Sequence, residues 1–393
     1  MDECAILNVR PIAREKKQNR FIAALHNRTF LYILKRVLTS LLTLILLAIL
    51  VTALIRCLPD TLFYDVKQYN TIKGKAGVEV ANRWRNIQLF NVGFTDLKGR
   101  RISILESVGN FIYWILPIWK KIPIAWNTTT YEPIKYWEGL IYLGRAQSMR
   151  NQYVVDLLVN RMGISFTISI VTVVLTYLVS IPLGVAMAKK PGGFADKIGN
   201  IFIVLNYAIP AIVFYLIMNV LFGGVQIGGV NVFNYFYDEK SPFLTLIPPI
   251  FCIWFLSIPG LSIWVRRFMA DELSSDYVKF ARSKGLSEKT IMYKHVFRNA
   301  VVPLVRNIPA TLLGAIVGSY YIEYIWSIPG TGVLLVKGLQ GSSPDVQLIQ
   351  GLTIIYGAIS MLSFLLGDII TVFFDPRIKL EGWERGIWIC QRI

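Results

Sequence analysis

Few side chains in this sequence could catalyse a reaction or bind a metal ion. Histidine occurs twice, at His26 and His295, so a site built from several histidine ligands is excluded. The four cysteines lie far apart without a C-x-x-C pair, and they predict unpaired thiols rather than a disulfide framework. No G-x-x-x-x-G-K-[ST] run occurs, so the chain has no P-loop of its own for nucleotide phosphates. These absences argue against an enzyme.

One polar segment, Arg266–Val305, could carry a mechanical function instead. It lies between two apolar runs, is rich in helix-forming and basic residues, and is interrupted at Gly285. Ser287 is a candidate N-cap and Glu288 would lie in the first turn of the next helix. We therefore expect a helix, a glycine break and a short helix before the chain re-enters an apolar run at Pro303. Such an element could act as a lever, or it could be a solvated connection.

The composition indicates what surrounds this segment. Of 393 residues, 54% are hydrophobic and 17% are charged, with a formal net charge of +17. Soluble domains carry about 25% charged residues. The charges fall between long apolar runs, which is typical of a polytopic membrane protein with basic cytoplasmic loops. Nucleic-acid binding would need a charged face on a compact domain, so no nucleic-acid partner is expected.

Six apolar segments are long enough to cross about 30 Å of hydrocarbon, which takes roughly 20 residues. They lie near Val37–Ile55, Ile164–Ala188, Ile198–Phe222, Phe243–Val265, Val301–Ile322 and Leu348–Phe374. The prediction is an all-α polytopic membrane protein with six transmembrane helices. Loops rich in Lys and Arg alternate with loops that hold a single Lys, which predicts that both termini are cytoplasmic.

These spans divide the chain into five predicted regions. They are a cytoplasmic N-terminal segment (1–36), a first transmembrane helix (37–55), an extracytoplasmic domain (56–160), a membrane core that contains the loop 266–300 (161–376) and a cytoplasmic tail (377–393). Within the extracytoplasmic domain, Phe111–Trp119 is apolar but too short to span, and we expect it to be buried or interfacial. The aromatic residues of segment 57–150 would form the core of a small cap, or a docking surface.

Several motifs, taken in order, resemble the permeases of ABC importers of the oligopeptide/dipeptide uptake family. Asp276–Ser287 resembles that family's EAA-type loop, and His295–Ala300 resembles the H-x-x-RNA run that follows it. Ser327–Gly332 resembles its SxPGxG element, Asp375–Ile378 its closing DPR run, and Ile181–Gly184 its IPLG run. The resemblance covers about residues 155–378.

The resemblance implies a permease subunit, not an enzyme, in the six-helix arrangement of a type I, binding-protein-dependent ABC importer. It implies a second homologous permease and two cytosolic ABC ATPase subunits, which would bind ATP and Mg, with no cofactor in this chain. It further implies an extracytoplasmic peptide-binding protein, a peptide substrate, and a place in a bacterial or archaeal cell membrane.

The resemblance also implies that the short helix after Gly285 docks on an ATPase. The expected ATPase-coupling residues are Asp276, Tyr277, Ala281, Arg282, Lys284, Gly285, Leu286, Ile291, Met292, His295, Arg298 and Asn299. Of these, Gly285 would allow close backbone approach, and Leu286, Ile291 and Met292 would supply apolar contact. Lys279 stands where the EAA motif has its Glu, so no carboxylate role is expected there.

Ionisable residues inside spans are functional candidates by default. Arg306, Glu323 and Asp368 are therefore candidates for lining the translocation path, with anchoring near an interface as the alternative. A secondary transporter or channel that acts without ATPases would need ionisable groups near the midplane, and the sequence offers almost none. A membrane-embedded enzyme would need clusters of His, Asp or Glu on facing helices. The substrate stays open, because dipeptide, oligopeptide, nickel and glutathione permeases share these motifs.

Overall fold

The computed structural model describes residues 28–96, 99–126, 133–149, 152–227, 230–231, 233–340 and 344–374. Some of the residues predicted above lie outside these ranges. They are Cys4, His26, Cys390, the Asp375–Ile378 motif, and the whole predicted tail 377–393.

The first third of the described chain is one long helix followed by a small cap. Ser103 is the N-cap residue of one helix in this region, since its hydroxyl accepts a hydrogen bond from the Glu106 N–H at 3.2 Å. The helices are α1 (Arg28–Arg56), α2 (Val66–Ala76), α3 (Val78–Val92) and α4 (Ile104–Ile115), and the strands are β1 (Lys120–Trp126), β2 (Pro133–Gly139), β3 (Arg145–Ala146) and β4 (Gln152–Tyr153). Strands β1 and β2 form an antiparallel hairpin, as do β3 and β4.

Part of the cap has an aromatic core. Phe63 and Phe94 are buried with ring centroids 4.6 Å apart, and Leu89 and Val346 complete their cluster. Other aromatic side chains of the segment remain exposed, among them Trp119.

The middle third contains the central pair of long helices. Its elements are α5 (Val154–Lys189), α6 (Phe194–Ala208), α7 (Ala211–Gly223), β5 (Gln226–Ile227), β6 (Val230–Asn231) and α8 (Pro242–Leu273). Gly184 lies at the contact between α5 and α8, where an added Cβ would be 2.8 Å from the Ser262 carbonyl oxygen. Glycine in the Ile181–Gly184 run thus permits the close approach of these two helices.

The remaining helices follow the polar loop. They are α9 (Asp276–Ser283), α10 (Glu288–Thr290), a π-helical turn (Ile291–Val296), α11 (Phe297–Arg306), α12 (Ile308–Gly318), α13 (Tyr320–Ile325), α14 (Thr331–Leu339) and α15 (Val346–Phe374). Among the described residues, five helical stretches are long and apolar enough to cross a membrane, or six if one bent pair counts as a single span. The chain is therefore a multi-pass membrane protein.

Two predicted spans are not the single straight helices that the sequence suggested. The segment 198–222 consists of α6 and α7, which meet at 91°. Pro210 causes the break, because it disfavours helical backbone at Ile209, which is extended (ψ 118°). The fifth apolar helix runs over Ile308–Ile325 rather than Val301–Ile322, so Arg306 precedes it.

Candidate functional site

The loop between α8 and α12 folds as the helix, glycine break and short helix that its sequence predicted. Helix α9 ends in a Schellman motif, in which the Gly285 N–H donates to the Arg282 carbonyl (2.9 Å) and the Leu286 N–H to the Ala281 carbonyl (3.3 Å). Ser287 caps α10, accepting from the Thr290 N–H at 3.3 Å. Both ends are thus satisfied locally, and the turn has a defined shape.

Gly285 has a local role in the turn besides the one expected. Its φ is +75°, in the left-handed region, and no atom of the described chain lies within 4 Å of where a Cβ would be. Close approach of a partner's backbone to Gly285 therefore stays a prediction, because no other segment of the described chain approaches it. The positive φ is what the Schellman motif requires at this position.

Gly285→Ala should destabilise this turn by about 1 kcal/mol, because an L side chain is strained at positive φ. Gly285→Asn should cost less, since Asn tolerates that conformation. Hydrogen exchange of the amides 276–290 would measure the loss of protection. Gly314→Ala is the matched control, because its Cβ site is equally open and its φ is ordinary. Equal protection in Gly285→Ala and the native chain would contradict this account.

The inner face of the loop belongs to the core of this chain. Ala281, Ile291, Met292 and Val296 are buried, and none is more than 7% exposed. They pack in one cluster with Val185 and Ala188 of α5, Val265 and Met269 of α8, and Ala300 and Leu304 of α11. Ile291 and Met292 are therefore not available as the apolar contacts predicted for a partner. Instead, they fasten the loop to the two central helices.

The outer face of the loop carries three large exposed side chains. Phe280 is 61% exposed, Leu286 is 40% exposed and Tyr293 is 59% exposed. Of these, the sequence interpretation selected Leu286 alone. Tyr293 lies within the π-helical turn Ile291–Val296, between the buried Met292 and Val296.

Polar contacts brace the loop against the end of α8. The Tyr277 hydroxyl and the Asn299 amide both donate to a carboxylate oxygen of Glu272, the latter at 3.4 Å. Burial, followed by the hydrogen bond to Glu272, raises the pKa of Tyr277 above its ordinary value. Glu272 thus joins the two ends of the loop. It was not predicted, since nothing in the sequence links a residue to a partner 27 positions away.

The exposed charges of the loop are only partly paired. Arg282 binds Glu288 through two hydrogen bonds, of 2.8 and 3.2 Å, and the first of these contacts holds the pKa of Glu288 below its ordinary value. Asp276 pairs with Lys279 at 2.8 Å. Lys284 lies over the Phe280 ring at 4.4 Å. Arg298 is exposed, while His295 is half-buried. The predicted coupling residues thus divide between a braced inner layer and an outer surface with a basic rim.

Arg306 and Asp368 form part of a three-residue junction. Asp368 accepts from Arg306 at 3.2 Å and from Arg36 at 3.2 Å, so α1, α11 and α15 meet at one carboxylate. The Asp368 side chain is 10% exposed, whereas the two arginines are about half exposed. The junction holds the ends of three helices together, and a role of Arg306 and Asp368 in the translocation path stays a prediction.

Asp368→Asn is expected to lower the stability of the α1–α15 contact by about 1–2 kcal/mol, since both arginines lose their carboxylate but stay half solvated. The midpoint of thermal unfolding in detergent would measure it. Asp271→Asn serves as the control, because Asp271 is exposed and should shift the midpoint little. An unchanged midpoint in Asp368→Asn would show that the junction is dispensable.

Glu323 is fully buried and shapes the loop that follows α13. Its carboxylate accepts from the Ser319 hydroxyl at 2.8 Å and from the Gly332 N–H at 2.6 Å. A Cβ at Gly332 would lie 2.5 Å from the Cα of Tyr320, so only glycine fits there. The carboxylate and glycine of the Ser327–Gly332 region are therefore parts of one packed unit. A role of Glu323 in the translocation path stays a prediction.

A cavity of about 360 Å³ lies between the central helices. The hydroxyl-bearing residues among those that line it are Thr172, Thr176, Tyr215, Ser257 and Thr311, and no charged residue lines it. The sequence interpretation did not select these residues. The available signal was the spacing of Thr172 and Thr176, four residues apart on one helix face.

The comparisons with known proteins decide the family. Residues 180–380 match the family described as the binding-protein-dependent transport system inner membrane component. The chain belongs to that family. The chain is also 31% identical over 230 residues to the dipeptide transport system permease protein DppB of Lactococcus lactis, of which it covers 73%. The resemblance to oligopeptide and dipeptide permeases is thereby confirmed.

Other relatives are also permease proteins by name. The oligopeptide transport system permease protein AmiC of Streptococcus pneumoniae is 37% identical over 217 residues, which is 55% of this chain. The chain covers 42% of AmiC, so it spans about two fifths of the length of that relative. The inner membrane ABC transporter permease protein YejB of Escherichia coli is 32% identical over 59% of this chain and 67% of its own length. A structure of the MetNI methionine ABC transporter is similar at a TM-score of 0.44 and 17% identity, over 56% of this chain and 97% of that one.

Proposed function

We propose that this chain is a permease subunit of an ATP-driven importer of peptides, and that the loop 266–300 receives the driving motion from ATPase subunits. The observation that carries the proposal is the two-sided structure of the loop. Its outer face exposes Phe280, Leu286 and Tyr293, while its inner face is continuous with the core formed by α5 and α8.

A loop of this kind can transmit force. Protein interiors are close-packed and barely compressible, so displacement of one buried face is passed to its neighbours. A partner that pulls on Leu286 would move Ile291 and Met292 with it, and through them Val185 and Val265 in the long helices. A solvated connection would lack this packed inner face.

The proposed partners follow the family. They are a second homologous permease, two cytosolic ABC ATPase subunits that hold ATP and Mg, and an extracytoplasmic peptide-binding protein. Both termini and the loop 266–300 would then be cytoplasmic. The basic residues that remain exposed, such as Lys284 and Arg298, offer hydrogen-bond donors to partner carboxylates or carbonyls.

Peptide as the solute is supported by the relatives' names and by the cavity between the central helices. Peptides vary in side-chain charge, so a cavity lined by apolar groups and hydroxyls, with no charged residue, would bind them weakly and without strong preference. The hydroxyl-bearing residues are Thr172, Thr176, Tyr215, Ser257 and Thr311.

Site-directed crosslinking tests the coupling. With native cysteines removed, Leu286→Cys should crosslink to a co-purified ATPase subunit through a short bifunctional maleimide, because Leu286 is 40% exposed. Met292→Cys is the matched control in the same loop, being 6% exposed, and should not react. Capture from both positions, or from neither in an ATP-hydrolysing complex, would contradict the proposed docking.

The competing function is a secondary transporter or channel that works alone. Uptake of labelled peptide into liposomes distinguishes the two. The proposal predicts uptake only with nucleotide and the ATPase subunits present. Equal uptake by this chain alone without nucleotide would favour the competing function.

A further inference from the structure

The charged residues of α1 indicate where this helix crosses the two surfaces of the hydrocarbon layer. Arg36 and Arg56 lie about 20 residues apart on α1, and no charged residue lies between them. At 1.5 Å per residue this separation is about 30 Å, the thickness of the hydrocarbon layer. Between the two arginines, Leu46, Leu50 and Leu54 are each more than half exposed, which is the surface a lipid-facing helix presents.

The contacts of helix α15 with α1 indicate the same two boundary positions independently. It runs antiparallel to α1, with the Gln350 amide donating to the Thr52 hydroxyl at 2.7 Å and Asp368 pairing with Arg36 at 3.2 Å. The polar contacts at the two ends therefore sit near the two boundaries defined by α1. A residue that touches both helices can be assigned a depth.

Helix α4 begins at one boundary and descends beside α1. The guanidinium of Arg56 donates to the carbonyl oxygen of Ile102, just before α4. Further along α4, Phe111 is buried against Ala48 of α1 and Ile354 of α15. Ala48 lies eight residues before Arg56, about 12 Å below it at the helical rise. The end of α4 is therefore at hydrocarbon depth, although the cap from which it comes lies outside.

The surface of this segment suits that depth. Between positions 104 and 119 the sole charged residue is Glu106, in the first turn of α4. At the turn that follows α4, Ile118 is 55% exposed and Trp119 is 68% exposed. This matches the exposure of Leu50 and Leu54 on α1. Contact with water would disfavour the exposure of Ile118 and Trp119 at the end of α4.

The turn after α4 also provides hydrogen-bond donors for carbonyl groups at the end of the helix. The last carbonyl groups of a helix lack partners within it, and unsatisfied groups are costly where no water is present. The Lys120 ammonium donates to the carbonyls of Tyr113, Trp114 (3.0 Å) and Leu116 (2.7 Å). Lys120 is itself 3% exposed. Three carbonyls at the end of α4 therefore have a donor at this depth.

We propose that Ile104–Trp119 is a re-entrant segment, which enters the leaflet on the Arg56 side and faces lipid hydrocarbon with Ile118 and Trp119. Strand β1 leads the chain away from this turn and β2 brings it back, since Lys120 pairs with Gly139. Lys121 and Glu138 neutralise each other in an ion pair of 2.9 Å at this end of the hairpin. The segment anchors the cap to the membrane beside α1. This inference does not depend on the transported solute or on the loop 266–300.

Accessibility of a nitroxide spin label tests the proposal. The full chain, with the subunits that co-purify, would be reconstituted in phosphatidylcholine vesicles after replacement of its native cysteines by serine. Labels would be placed at Ile118→Cys, at Leu50→Cys as the lipid-facing control of similar exposure, and at Val80→Cys on α3 as the aqueous control. Collision rates with oxygen and with a water-soluble nickel complex would be compared.

The oxygen-to-nickel ratio at Ile118 should match that at Leu50 and exceed that at Val80 by about fivefold or more, because water is absent from the bilayer core. A label at Leu105→Cys, near the start of α4, should give an intermediate ratio. A ratio at Ile118 equal to that at Val80 would overturn the proposal. Protection of Ile118 from both reagents would overturn it too, since another protein chain would then cover the turn.

Discussion

Leu286→Asp is expected to lower nucleotide-driven peptide uptake at least about tenfold, because loss of a hot-spot anchor at an interface costs about 2 kcal/mol or more, and about 1.4 kcal/mol corresponds to tenfold. Leu286 is 40% exposed and lies outside the packed cluster of the loop. Its replacement should therefore leave the free energy of unfolding within about 0.5 kcal/mol of the native value. Uptake of labelled peptide by the reconstituted complex would measure the loss.

Two further variants separate docking from folding. Leu62→Asp, in the cap, is the matched control, since Leu62 is 41% exposed and should leave uptake unchanged. Ile291→Ala should act differently, because Ile291 is fully buried and its truncation should cost about 2–4 kcal/mol of stability. Loss of uptake in Ile291→Ala should thus accompany a lower unfolding midpoint. Full uptake by Leu286→Asp would refute docking at this residue.

Glu323→Ala should destabilise the protein by about 3 kcal/mol, because it leaves the Gly332 N–H and the Ser319 hydroxyl without their acceptor in a buried site. Glu323 is 0% exposed, so water cannot replace it without rearrangement. Glu323→Gln should also destabilise, as its amide N–H₂ would face groups that donate. Unfolding in detergent, followed by tryptophan fluorescence, would measure both.

The control for Glu323 is Glu239→Ala, since Glu239 is exposed and should change stability by less than about 0.5 kcal/mol. A companion variant is Gly332→Ala, whose Cβ would meet the Cα of Tyr320. It should destabilise the same loop while leaving the carboxylate in place. A lining residue of an open path would behave otherwise, because Glu323→Ala would then change uptake at native stability.

The sequence by itself determined the class of protein, the order of its apolar segments and the place of the polar loop 266–300. These depend on local composition and on motifs read within short stretches, such as Asp276–Ser287. Hydrocarbon length and helix geometry translate such stretches directly into structure. The family assignment, made from those motifs, is confirmed by the match over residues 180–380. The proposed ATPase docking and the orientation of the termini remain predictions.

Tertiary structure alone decided which face of each element is buried. Ile291 and Met292 were expected to meet a partner, yet they pack on α5 and α8, while Tyr293 in the same π-helical turn is exposed. Gly285 was expected to allow close approach, and its positive φ is also what the turn requires. Contacts between distant positions, such as Asp368 with Arg36, leave no mark on local sequence. Local sequence patterns determine where helices form, whereas the packing of segments distant in sequence determines which side chains contact each other.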